Sequence, residues 1–203
     1  MLEPSDRQTD LGRRPRPYRV EGYAIISSDG MIADANGGFP DSLMIEADKE
    51  FFARELDRAD VIVQGRNSYE HQANSPSRRR LVLTRKIAGL APNPDTPKSF
   101  LWNPAGASVE QACAALGLAS GLIGVIGGTD VFDLFLEIGY DAFHLSRADK
   151  AVLPGGRPVF SQVRSGRTPE DVLTEYGFEP GPTQLLDDRH EASLVCWTRK
   201  PST

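Results

Sequence analysis

Two short segments combine glycine with hydrogen-bonding side chains where a predicted strand gives way to a helix. They are GRNS at residues 65–68 and GGTD at residues 127–130. Glycine lets a ligand approach the main chain, and a helix N-terminus offers free N–H groups to a phosphate. The Arg66 guanidinium can also bind a phosphate through two hydrogen bonds. Each segment taken alone is more often an ordinary turn.

A third strand end, at Leu83-Thr84-Arg85, strengthens the prediction of a nucleotide site. Ligands of an open α/β sheet collect at the carboxyl ends of its strands, where all three segments are predicted to lie. The full GxGxxG fingerprint of the common dinucleotide-binding fold is absent. The sequence therefore predicts a dinucleotide that is bound in a different arrangement.

Asp48 is the best candidate for a catalytic acid group. It lies in the first turn of a predicted amphipathic helix and is followed by Phe51 and Phe52. A carboxylate in an apolar pocket can hydrogen-bond to a nitrogen heterocycle and help to protonate it. The alternative is an exposed carboxylate that only complements the helix dipole. The helical pattern does not decide between these two roles.

Strands and helices alternate along most of the chain. Strands are predicted at residues 18–27, 60–64, 80–84, 122–126 and 142–147, with a brief apolar piece at 31–33 and room for a short strand at 99–102. Helical segments are predicted at 47–59, 68–71, 108–118 and 129–138. A hairpin is predicted from residues 183–186 and 193–199. This order predicts a three-layer α/β/α domain whose mixed, mostly parallel sheet is closed by a C-terminal antiparallel hairpin.

The length of 203 residues suits one domain of ordinary size. Residues 1–17 are polar and rich in Arg and Pro, which predicts a flexible N-terminal arm. Residues 18–203 are predicted to form a single domain with an insertion near 164–182. With 23 Lys and Arg against 28 Asp and Glu, the net charge of −5 argues against general binding to nucleic acid or to an anionic membrane.

The cysteines and histidines do not predict a metal site. Cys113 and Cys196 are far apart and form neither a disulfide framework nor a zinc motif, so a reducing, cytoplasmic compartment is expected. His144 is expected to be a strand residue beside the core, and it has no second ligand at metal spacing. No stretch approaches the ~18–20 apolar residues of a membrane span, and residues 1–17 lack the apolar core of a secretory signal.

A series of segments in a fixed order resembles the dihydrofolate reductase superfamily, which includes the reductase domain of bacterial riboflavin biosynthesis. The segments are SSDGMIA (27–33), IEADKEFF (45–52), VIVQGRNSYE (61–70), LVLTR (81–85), VIGGTDVF (125–132), HLSR (144–147) and PGGRPVF (154–160). The resemblance runs from Tyr18 to Phe160 and resumes in the last hairpin. It implies the fold of that superfamily.

The resemblance also implies a function, an NADPH-dependent reductase that transfers hydride to a C=N bond of a pterin-like heterocycle. Asp48 would bind the heterocycle, Ser146 would orient Asp48, and a mobile loop at residues 36–40 would close over the site. Ile25, Phe52 and Arg78 would contact the substrate. Arg78 lies near the place of an arginine that binds the folate glutamate, although a solvated basic turn is the alternative for residues 78–80.

The same resemblance implies an NADPH site built from the strand ends described above. Its members share a position at or just after a strand, or in the helical turn that follows. They are Ile32, Gly65, Arg66, Asn67, Ser68, Leu83, Thr84, Arg85, Ile126, Gly127, Gly128, Thr129, Asp130, Val131 and Phe132.

Departures from the family pattern leave the substrate open. Residues 41–46 lack the Trp and the Leu-Pro pair that dihydrofolate enzymes usually carry before the acid, and residues 73–76 lack the Asp-Asp-Pro of riboflavin-type reductases. Two alternatives therefore stand beside a pterin reductase. One is a reductase of a 5-amino-6-(phosphoribosylamino)uracil-type substrate, and the other is a non-catalytic NADPH-binding module. The resemblance is compatible with a homodimer, because riboflavin-type and stand-alone members often pair.

Overall fold

The structure, a computed structural model, describes residues 17–68 and 74–199. Two predictions fall mostly outside these residues, the flexible N-terminal arm and the helical turn at 68–71. Among the described residues, no helix is both long enough and apolar enough to cross a membrane.

Eleven strands form the sheets of the described part of the chain. In chain order they are β1 (Tyr18–Ser27), β2 (Met31–Ala33), β3 (Val61–Gly65), β4 (Arg80–Leu83), β5 (Leu90–Pro92), β6 (Ser99–Trp102), β7 (Gly121–Val125), β8 (Ala142–Ala148), β9 (Arg157–Pro158), β10 (Phe178–Asp187) and β11 (Ala192–Arg199). Nine of them make one sheet in the order β10-β11-β8-β1-β7-β3-β4-β6-β5, and β2 pairs with β9 separately.

The main sheet is mixed and mostly parallel, as predicted. β1 lies between β7 and β8 and is parallel to both, and the pairs β3–β7, β3–β4 and β4–β6 are also parallel. The hairpin of β10 and β11 joins antiparallel to β8. Central strands such as β3 consist largely of buried β-branched residues, because a parallel sheet is covered on both faces.

Four α-helices cover the two faces of the sheet: α1 (Glu46–Arg58), α2 (Val109–Ala115), α3 (Thr129–Ile138) and α4 (Pro169–Glu175). Leu56 of α1 packs with Tyr23 and Ile62. Residues of α2, α3 and α4 pack instead with Val61 and Val63, which alternate with Ile62 and so point to the opposite face. This arrangement confirms the predicted three layers.

The C-terminal region contains secondary structure that the sequence pattern did not predict. The segment predicted as an insertion near 164–182 contains α4 and the start of β10. Val172 and Leu173 of α4 are fully buried in the main core. The hairpin is also longer than predicted, because β10 begins at Phe178.

Candidate active site

A cleft of about 1270 Å³ opens at the carboxyl ends of the central parallel strands. All the predicted catalytic, substrate and cofactor residues line it except Arg78 and Gly127. Ile25, Phe52, Asp48 and Ser146 lie in one half, and the segments after β3, β4 and β7 lie in the other. The topology therefore brings the predicted acid group and the predicted nucleotide site into one cavity.

Asp48 is a buried carboxylic acid at the centre of the first half. Asp48 is only 9% exposed, so the alternative of an exposed carboxylate does not hold. Burial raises the pKa of Asp48 to about 6, although a hydrogen bond with Ser146 acts in the opposite direction. A carboxyl group with such a pKa can hold or release a proton near neutral pH.

The strand register explains why Ser146 meets Asp48. Ser146 of β8 lies directly beside Ile25 of β1, and both side chains face the layer that contains α1. The buried side chains of Leu43 and Ile45 fix the start of α1 against the sheet. Asp48, in the first turn, is thereby directed into the cleft.

The raised pKa of Asp48 predicts a pH-dependent cost to stability. The folded-state value of about 6 lies above the ordinary value of 3.8, so stability falls as pH rises through this window. At pH values above this window, the pKa shift lowers the free energy of unfolding by about 3 kcal/mol. We expect Asp48→Asn to unfold at higher urea concentration than the wild type at pH ~7.5 and to lose most of that advantage at pH ~4. An equal difference at both pH values would contradict the assignment.

The second half of the cleft joins two glycine-containing segments by main-chain contacts. The Gly65 N–H donates to the Gly127 carbonyl at 2.8 Å. Gly127 does not line the cleft itself but ties the end of β3 to the start of α3. The peptide bond between Gly127 and Gly128 is cis, and the Gly128 carbonyl accepts from the N–H groups of Val131 and Phe132.

The groups around these segments fit a dinucleotide. The hydroxyl-bearing residues Ser68, Thr84 and Thr129 line the cleft, as does the N-terminus of α3, where phosphate oxygens are favoured. Arg66, Arg85 and Lys86 supply positive charge, with Arg85 paired to Asp130 at 3.0 Å. Apolar Ile32 and Ile126 lie at the boundary between the two halves and suit a planar ring. This donor set suits the phosphates of a dinucleotide.

Three aromatic residues in the half of the cleft that contains Asp48 were not predicted as site residues: Tyr23, Phe51 and His144. His144 is a strand residue beside the core, as predicted, where it stacks on Tyr23 with ring centroids 4.8 Å apart and planes 5° apart, and it also lines the cleft. The signal that could have identified His144 is its spacing, since it precedes Ser146 by two residues and so shares its face of the strand.

The predicted substrate contact of Arg78 is not supported by its position. Arg78 is buried in a separate cavity of about 780 Å³ near the C-terminal end of α1. Its guanidinium pairs with Asp57 there. The attraction of that carboxylate directs the side chain away from the cleft that holds Asp48.

The loop at residues 36–40 borders the cleft, which suits the closing role that the resemblance implies. Asp34 organises it by accepting hydrogen bonds from the N–H groups of Asn36 and Gly38. Phe39 in this loop and Met44 just after it are large apolar side chains that remain more than half exposed at the mouth. Glu46 and Lys49, also at the mouth, are exposed and pair with each other.

Comparison with solved structures identifies the fold. A riboflavin biosynthesis protein from Shewanella sp. PV-4 matches with a TM-score of 0.62 and 21% identity, over 90% of this chain and 99% of that one. A deaminase/5-amino-6-(5-phosphoribosylamino)uracil reductase from Thermotoga maritima matches with a TM-score of 0.64 and 16% identity, over 90% of this chain and 56% of that one.

A third structure is dihydrofolate reductase from Enterococcus faecalis in complex with NADP(H) and RAB-propyl. It matches with a TM-score of 0.60 and 17% identity, over 90% of this chain and 97% of that one. No family model and no curated protein matches the chain in sequence. Together with the sheet order and the position of the cleft, these neighbours show that the chain has a dihydrofolate reductase-like fold.

Proposed function

We propose that the protein is an NADPH-dependent reductase that adds hydride to a C=N bond of a pterin-like heterocycle. The observation that carries this proposal is a buried acid, Asp48, that shares one cleft with a dinucleotide-type donor set. The fold neighbours support it, because two of the three are named as reductases.

Asp48 has the properties that the substrate half requires. A carboxylate accepts two hydrogen bonds, so it pairs with a ring N–H and an adjacent amino group of one heterocycle. This pairing increases the basicity of the ring and so favours protonation of the nitrogen of the C=N bond. Ser146 fixes the carboxylate through its hydrogen bond, and Phe52 packs on the ring from the same helix.

NADPH, when bound, supplies the hydride, and the chain supplies its position. The glycine-containing segments and the N-terminus of α3 would hold the pyrophosphate, while Arg66 and Arg85 would contact the 2′-phosphate. Closure of the loop at residues 36–40 would exclude water from the reacting atoms.

The test is an NADPH oxidation assay with dihydrofolate, carried out in the presence and absence of methotrexate. The readout is the loss of NADPH absorbance. We expect turnover that methotrexate blocks. Turnover with a phosphoribosylaminopyrimidinone but not with dihydrofolate would overturn the pterin assignment in favour of the riboflavin-type substrate. NADPH binding without turnover of either compound would overturn catalysis and support a non-catalytic binding module.

A further inference from the structure

Three elements that build the Asp48 site each contribute a second residue deeper in the cleft. In the register of β1 and β8, Ile25 pairs with Ser146 and Tyr23 pairs with His144. Side chains two residues apart on a strand share a face and lie about 6–7 Å apart. Phe51 follows Asp48 by three residues and so lies on the same side of α1. Tyr23, Phe51 and His144 are called here the aromatic layer.

The rings of the aromatic layer are close to one another and reach the cleft. Ring centroids of Phe51 and His144 are 5.6 Å apart with planes tilted by 51°, and those of Tyr23 and Phe51 are 6.4 Å apart. All three residues line the cleft, where Phe51 and His144 keep part of their surface exposed and Tyr23 is buried behind them. The layer is therefore a wall of the cavity as well as part of the packing.

Glu21 fixes this wall from behind. The buried Glu21 carboxylate accepts a hydrogen bond from the Tyr23 hydroxyl at 2.7 Å and lies 3.3 Å from Nε2 of His144. Burial, the largest single effect, lowers the pKa of His144, but hydrogen bonds with Cys196 and Glu21 outweigh it and raise that pKa to about 9. The ring is thus an imidazolium at neutral pH, with Glu21 as its counter-ion. Rings held this way lose little freedom when a ligand binds.

We propose that the aromatic layer is a second substrate subsite, which takes a planar, uncharged ring attached to the heterocycle that Asp48 binds. This inference rests on the proposed function, because it needs a heterocycle paired with Asp48. The subsite lies one strand repeat beyond Asp48, so the attached ring extends along β1 and β8. Aromatic groups favour tilted and offset contacts of the kind this wall offers, and an imidazolium favours an electron-rich ring over a cationic one.

The test compares the binding of pterin and N2-phenylpterin to the NADPH complex by titration calorimetry. The phenyl group of the second compound extends from the amino group that Asp48 binds. We expect N2-phenylpterin to bind ~10-fold more tightly than pterin, on the scale of two aromatic contacts. Phe51→Leu and His144→Gln, which remove a ring, should reduce this preference to ~2-fold. Phe100→Leu in β6, outside the cleft, is the matched control.

Each outcome has a distinct meaning. Pterin binding with no gain from the phenyl group, or an equal gain in Phe51→Leu and His144→Gln, overturns the subsite and leaves the proposed function standing. Failure of both compounds to bind the NADPH complex contradicts the heterocycle site at Asp48, and the subsite with it. Circular dichroism identifies a variant that fails to fold, and Phe51→Leu then decides alone because it leaves the Glu21–His144 pair intact.

Discussion

Replacing Asp48 with Asn should reduce turnover by ~100-fold or more while the affinity for NADPH stays unchanged. The amide has nearly the shape of the carboxyl group, so the start of α1 and the cleft should keep their structure. The amide cannot take up or release a proton near pH 6, and it offers one acceptor oxygen where the carboxylate offers two. Only the substrate half of the cleft is altered, because the nucleotide segments follow β3, β4 and β7.

Steady-state rates with dihydrofolate and NADPH fluorescence titrations measure the two effects separately. Glu50→Gln is a suitable control, because Glu50 is an exposed acid of the same helix that does not line the cleft. Like Asp48→Asn, Glu50→Gln removes one negative charge from α1. Turnover in Asp48→Asn equal to that in Glu50→Gln would remove Asp48 from the mechanism.

The sheet could be predicted from the sequence because its signals are local. Runs such as VIVQ at residues 61–64 are too apolar and β-branched for an exposed element, and each ends at a glycine or a polar turn. The strands between residues 18 and 147 and the helices between them follow from these signals, except β5 (Leu90–Pro92), which lies in a segment rich in Pro and Ala and was not predicted. The nucleotide half of the cleft follows in turn, since the carboxyl ends of parallel strands meet at one edge.

The remaining parts of the site depend on partners that are distant in sequence. Arg78 carries the right charge for a substrate carboxylate, but Asp57, which is 21 residues earlier, directs it to another cavity. His144 depends on Glu21, which is 123 residues away. The pattern of a single strand gives the face on which a side chain lies, but it does not give the charged groups that other segments place beside it.

The peptide unit at Gly127 gives the second large expected effect, a loss of about 3–5 kcal/mol of stability in Gly127→Ala. Gly127 has a φ of +93°, a conformation that residues with a side chain rarely adopt. A Cβ at this position would also lie 2.6 Å from a ring carbon of Phe132. Phe132 is 1% exposed and packs edge-on against Phe143 and Phe160, so its ring has no room to move away.

Gly117→Ala separates these two causes. Gly117 has a φ of +75°, but a Cβ there would have nothing within 4 Å. It should therefore cost only the backbone term, about 1–2 kcal/mol. Urea unfolding of both variants measures the difference, and equal losses would show that the Phe132 contact contributes nothing. Because the Gly127 carbonyl also accepts the Gly65 N–H, any Gly127→Ala protein that folds should bind NADPH more weakly, whereas Gly117→Ala should bind it as the wild type does.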